Sequence, residues 1–254
     1  MQKIETYRQI LRGTENWDAF LLAESNLPGP RANLELVQAA ADEGDEALFL
    51  RYISYDSVQA PTGSPQEFLP VCGAVGLGRL AAGGRDDLLP VLRDLAGDPR
   101  WRIREGVAMA LQRVGAAEMD RLLVEMDAWS QGDRLEQRAA AAALAEPALL
   151  RDAHHARRVL EILDHITGSI EGAGDRQSEP FKTLRQGLGY CWSVAVAALP
   201  KAGKPLMEKW CQSTDRDVRW VMRENLKKNR LARMDPEWTA SWQARLEGKA
   251  KKIK

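Results

Sequence analysis

Residues 214–231 read TDRDVRWVMRENLKKNRL, and the alternation of apolar and charged positions in this stretch decides the fold class. At 100° per residue, Val218, Val221, Met222 and Asn225 fall on one face of a helix, with Leu226 at its edge. Residues 98–115, DPRWRIREGVAMALQRVG, repeat the arrangement with Ile103, Val107, Ala110 and Val114, and Leu111 at the edge. Neither helix can bury such a stripe alone, so each must pack on a neighbouring helix and on the next copy of itself. Truncating a central leucine of such a stripe costs about 2–5 kcal/mol.

Working outward, the chain repeats this frame. IREGVAMAL (103–111) and VRWVMRENL (218–226) superpose as apolar-Arg-x-x-apolar-x-x-small-Leu, and LRQGLGYCW (184–192) fits with Trp192 closing it. LEQRAAAAALAE (135–146) holds Arg138 near the matching place but drifts by one residue. Arg104, Arg138, Arg185 and Arg219 are then spaced 34, 47 and 34 residues apart, and an insertion in 168–178 accounts for the long interval. A period in the thirties with two helices per period marks a helical repeat. Apolar residues recur at three and four along most of the chain, broken by Gly, Pro or Asp. This predicts helices over 2–12, 15–24, 30–43, 45–54, 66–81, 86–96, 99–114, 116–129, 133–145, 147–167, 180–198, 203–212, 215–229 and 235–247. Residues 56–65 (DSVQAPTGSP) and 168–178 (GSIEGAGDRQS) read as surface loops.

The stretches 98–115 and 214–231 resemble the second helix of HEAT repeats, where an Asp opens the turn and a V-R-x-x-A-x-x-A-L pattern follows. The resemblance is clear over 66–231 and extends to 1–55 by helix pairing. It implies an all-α chain, a right-handed α-α superhelix of about 6–7 antiparallel helix pairs forming a single solenoid domain over 1–254. Within it, 1–55 supplies N-terminal helix pairs, 66–231 the clearest repeats, and 232–254 a capping helix and basic tail. In that family the repeat arginine often bonds an Asp of a neighbouring turn, a role for which Asp98 and Asp215 are available to Arg104 and Arg219.

Composition agrees with a helical chain. Of its residues 44% are hydrophobic and 28% charged, and the excess of Ala, Leu, Glu and Arg over β-branched residues favours helix. Cys72, Cys191 and Cys211 are widely separated and form no C-x-x-C, which argues for a reducing compartment. No apolar run approaches the ~18 residues that span a bilayer, and the charged N-terminus lacks a signal-peptide core. These features point to a cytoplasmic protein with no membrane partner. The net charge of zero hides an asymmetry: residues 1–200 hold 21 Lys+Arg against 29 Asp+Glu, and residues 201–254 hold 15 against 7. The C-terminal end is therefore expected to meet an acidic partner, or the acidic half of another copy.

The same helix carries the first candidate binding surface. Arg216, Arg219, Arg223, Lys227 and Arg230 fall within about 80° of arc opposite the apolar stripe, with Trp220 beside them. Such a face suits an anionic partner, although solvated cations and inter-repeat ties are equally served by these residues. Arg104 and Arg185 occupy the matching place on other second helices. Trp101, like Trp220, lies off its apolar stripe and next to arginines, as contact tryptophans do. His154, His155 and His165 assemble no metal-ligand spacing, and no nucleophile or phosphate-loop motif occurs, so neither a metal nor another cofactor is expected.

The reading is a non-enzymatic interaction scaffold that holds a partner macromolecule, a protein first of all, on its concave and basic C-terminal surface. The alternative is a HEAT-like DNA-binding protein or alkylpurine DNA glycosylase acting in DNA repair, a class that resembles this chain in size and architecture. The acidic first 200 residues and the lack of the family's active-site string weigh against it. A HEAT-like lyase or chaperone subunit acting on a tetrapyrrole-bearing or metalloprotein partner is a third reading that no residue favours.

Overall fold

The computed structural model describes residues 2–250, without the side chains of 249 and 250, so the end of the basic tail (251–254) lies outside the described residues. Among the described residues every regular element is helical: fifteen α-helices, three single 3-10 turns and no strand. None of these helices is long and apolar enough to cross a membrane. The chain divides into two compact units, Met1–Glu118 and Met119–Lys254.

Unit 1 contains α1 (Gln2–Arg12), α2 (Trp17–Glu24), α3 (Leu34–Glu43), α4 (Glu46–Ile53), α5 (Phe68–Ala82), α6 (Leu89–Leu95) and α7 (Trp101–Ala117). Side-chain caps start several of them where the sequence offers Asn or Asp: Asn16, Asn33 and Asp45 each accept a backbone N–H of the first turn. Helices α3, α5 and α7 pack side by side in one layer, with α4 and α6 against α5. Phe49, Tyr52, Phe68, Leu77 and Ile103 are fully buried in this core. Helix α5 is apolar on every face except at Arg79 in its last turn (FLPVCGAVGLGRLAA), as expected of a helix surrounded by neighbours. Its glycines allow the close approach. A Cβ at Gly78 would stand 2.3 Å from the Ala110 Cα, and one at Gly76 2.3 Å from the Phe49 ring.

Gly78→Ala is therefore expected to destabilise the protein by about 1–3 kcal/mol in urea unfolding, because backbone atoms of α7 block the added methyl. At an exposed helical position the same change would stabilise by about 1 kcal/mol, so the sign of the effect tests the packing.

Unit 2 contains α8 (Met119–Ser130), α9 (Arg134–Leu144), α10 (Ala153–Ile170), α11 (Glu179–Ala198), α12 (Pro200–Cys211), α13 (Arg216–Leu226), α14 (Asn229–Met234) and α15 (Pro236–Ala250). Helices α9, α11 and α13 form one layer, and α8, α10 and α12 pack along its other side. Asp133 closes a full capping box with Glu136, and Asp152, Ser178 and Asp215 cap α10, α11 and α13. The repeat frames coincide in burial. Leu111, Trp192 and Leu226 are all buried at the closing position, and Ile103, Leu184 and Val218 at the opening one. Asn225, fully buried, stitches α13 to α11: its carbonyl accepts the Ser193 N–H at 2.8 Å and its amide donates to the Leu188 carbonyl at 2.7 Å.

Several boundaries differ from the sequence expectation. The helix expected over 147–167 is a 3-10 turn, Pro147–Leu149, followed by α10 from Ala153, and the one expected over 30–43 starts only at Leu34. The helix expected over 215–229 stops at Leu226. The chain turns at Lys227 and Lys228 and restarts as α14, which lets Leu231 reach full burial. The loop expected from 168 begins only after Ile170, because burial of Ile170 carries α10 through Gly168.

Candidate functional site

The basic residues singled out from the sequence separate into ties and surface groups. Arg219 is only 8% exposed and its Nη2 donates to the Leu246 carbonyl at 3.0 Å, fastening α13 to α15. Arg104 donates to the carbonyls of Asp98 and Pro99 at 2.6 and 3.0 Å. Both are ties to backbone oxygens: Arg104 does reach Asp98, through its carbonyl, whereas Arg219 bonds Leu246 rather than Asp215. The Asp98 carboxylate is instead taken by Arg100, at 2.7 Å. Arg216 is exposed and Arg223 half-buried on α13. Lys227 lies in the turn after α13, 2.5 Å from Glu224. Arg230 belongs to α14, so the five cations do not share one continuous helix: the turn that buries Leu231 divides them.

Asp215 and Asp217, at the start of α13, form a neutralised knot. Arg176 donates to both carboxylates, and Arg185 to Asp217 at 2.7 Å. Burial works against ionisation of Asp215. The Arg176 guanidinium and the N–H groups of Val218, Gly172 and Asp217 outweigh it, holding the carboxyl below the usual carboxylate range. Asp217 is lowered in the same way, by Arg176 and Arg185 against burial. Together with an Arg134–Asp175 pair at 3.0 Å, this knot pins residues 171–178 to their helices. Arg185 also stacks on Trp220, its guanidinium carbon 4.3 Å from the ring centroid. In unit 1, Trp101 is 45% exposed and stacks on Arg102 at 4.4 Å.

A groove of about 770 Å³ opens in unit 2 between α11, α14 and the 3-10 turn Pro147–Leu149. Its floor is Val194, Ala197 and Ala198 of α11, and one wall is Pro147 and Leu150. The opposite wall carries Lys227, Lys228, Arg230 and Arg233, with Asn229 between them, and no carboxylate lines the groove. Tyr190, 41% exposed, stands at its edge. The Tyr190 hydroxyl accepts from Arg230, whose guanidinium lies 4.8 Å from the ring centroid, with the Lys228 ammonium at 5.8 Å. Four cations are thus crowded on one wall, of which only Lys227 is paired with a carboxylate, Glu224, and the remaining positive potential is one that an anionic group relieves.

A second groove, of about 590 Å³ in unit 1, is lined by Glu15, Asp18, Glu43, Asp45 and Arg51. Its carboxylates are largely committed. Asp18 pairs with Arg51 at 2.6 Å, and Glu43 is held down to about 2 by hydrogen bonds from Arg12 and Arg8 that overcome its desolvation.

Sequence reading thus found Lys227 and Arg230 of this groove, and missed Lys228, Arg233, Tyr190 and the apolar floor. The available signal was the density of KKNRLAR (227–233), four cations in seven residues, and the uncharged run QGLGYCWSVAVAALP (186–200). Among the described residues no group of three or more His, Cys, Asp or Glu is arranged to hold a metal ion. His155 instead faces Asp120 at 3.2 Å.

A scan against protein-family models finds no match to this chain, and searches of curated proteins and of solved structures find none either.

Proposed function

We propose that this chain is a HEAT-like α-solenoid scaffold, built of about 6–7 helix pairs, that acts by binding an acidic segment of a partner protein. The repeat reading is supported by the side-by-side second helices α9, α11 and α13 and by the matched burial of Leu111, Trp192 and Leu226. The concave side of such an array is formed by its second helices, which bear Arg104 and Arg185. The basic C-terminal surface adds the partner site. All three cysteines are free and buried, in keeping with a reducing, cytoplasmic setting.

The observation that carries the functional reading is the cationic wall beside an apolar floor in the Tyr190–Arg233 groove. Carboxylates of a partner meet the four cations, and its apolar side chains meet Leu150, Val194 and Ala197. Duplex DNA, the other polyanion considered, has no use for the apolar half of this groove, since phosphates are contacted by cations and donors alone.

The test is fluorescence anisotropy of a labelled poly-glutamate peptide and of a duplex oligonucleotide of equal charge. Arg230→Glu together with Arg233→Glu is expected to weaken peptide binding by about tenfold or more while the helical circular dichroism is unchanged. Equal or tighter binding of the duplex, with a steep dependence on salt, would instead favour a nucleic-acid partner.

A further inference from the structure

We infer that the occupant of the Tyr190–Arg233 groove is an acidic amphipathic helix of a partner protein, an inference that rests on the acidic-partner reading above. The two walls differ in kind. One carries Lys227, Lys228, Arg230 and Arg233, and the other is Pro147 and Leu150 over the α11 floor. A segment that satisfies both is acidic along one edge and apolar along the next. A plain polyanion leaves the apolar half wet, and a plain apolar segment leaves Lys228, Arg230 and Arg233 without an opposite charge.

The conformation of the segment follows from what the walls offer its backbone. Apart from the turns at 147–150 and 227–228 and the uncapped start of α14, they are helix surfaces whose N–H and C=O groups are bonded internally, and there is no sheet edge for an extended strand to join. An extended segment would press its own N–H and C=O groups against Leu150, Val194 and Ala197. Asn229 and the Tyr190 hydroxyl are the only uncharged polar side chains in the lining that could serve them. Each buried group left over would lose its hydration without replacement. A polyproline segment docks between aromatic rings, but Tyr190 is the one aromatic in the lining and Arg230 and Lys228 already lie over its ring.

A helix brings its backbone bonds with it. Its carboxylates at i and i+3 or i+4 form a stripe, as Arg230 and Arg233 do on α14, so the two rows of charge run alongside one another. Lys227, already held by Glu224, is expected to contribute least of the four.

The experiment uses the full chain and three labelled peptides of equal net charge and about 14 residues, roughly four helical turns. One is an amphipathic helix former with Glu and Leu stripes. The second keeps the Glu and Leu content but carries a central proline pair in place of two neutral residues. The third is a Glu/Ser peptide without apolar residues. The expected result is that the first binds about tenfold or more tighter than the other two. Ala197→Leu, which fills the floor, should weaken the first by a similar factor and leave the Glu/Ser peptide unchanged. If all three bind alike and all are lost with Arg230→Glu and Arg233→Glu, the helix inference is overturned and the acidic-partner reading stands. If none binds, or the charge reversal has no effect, both fall.

Discussion

Arg102→Met is expected to destabilise the protein by about 3–5 kcal/mol, the range found when one member of a buried ion pair is removed. Arg102, on the first turn of α7, donates to the Glu67 carboxylate at 3.0 Å and to the Gly29 carbonyl at 2.9 Å. Glu67 is fully buried, and its carboxylate otherwise receives only the Gly63 N–H, at 2.7 Å. Its second oxygen has no hydrogen-bond partner in the structure. Without the guanidinium, a carboxylate deep in unit 1 keeps its desolvation cost and loses the charge that offsets it. The double variant Arg102→Met with Glu67→Leu removes both charges and is expected to recover most of the loss, because an apolar pair of similar volume is often as stable as a buried ion pair. A double-mutant cycle in urea checks this. A single-variant loss below about 1 kcal/mol, or a double variant no better than Arg102→Met, would mean that Glu67 reaches water.

Trp192→Ala is expected to cost about 3–5 kcal/mol, the usual range for removing a large aromatic from a packed interior. Trp192 is fully buried on α11, and its Nε1 donates to the Thr167 hydroxyl of α10 at 2.9 Å. It stands where Leu111 and Leu226 stand in the other two frames. Those leucines should cost about 2–5 kcal/mol each on truncation. Trp192→Phe isolates the polar part of the tryptophan's role. It keeps most of the apolar bulk but strands the Thr167 hydroxyl, at about 1 kcal/mol for the lost bond. Chemical denaturation followed by far-ultraviolet circular dichroism reads all four substitutions. If Trp192→Ala is nearly neutral, the correspondence between the three frames fails at this position.

Much of the helical architecture was legible because its signals are local. The stripe of Val218, Val221, Met222 and Asn225 is buried as its periodicity demands, and caps at Asp45, Asp133 and Asp215 begin helices within one residue of expectation. What stayed hidden depends on contacts between distant segments. Nothing near Leu231 in sequence says that a turn at 227–228 would bury it, so one helix was read where there are two. Arg219 looks like a surface cation on the helical wheel, and only the packing of α15 reveals that it is covered and bonded to Leu246. Half of the groove was visible as the basic run KKNRLAR. Its floor and rim come from Leu150, Tyr190 and Val194, tens of residues away. A charge pattern can therefore indicate that an acidic partner is wanted without indicating where an apolar surface lies beside the charge.

The central claim is that an acidic partner sits in the groove between α11 and α14. Hydrogen–deuterium exchange of the full chain, with and without a saturating amphipathic Glu/Leu peptide, tests it most directly, because amide protection reports where a segment is held. The account predicts slowed exchange confined to peptides covering 147–150, 187–200 and 224–234, abolished by Arg230→Glu with Arg233→Glu. Protection centred on other segments, or unchanged exchange at a concentration where anisotropy reports binding, would contradict it.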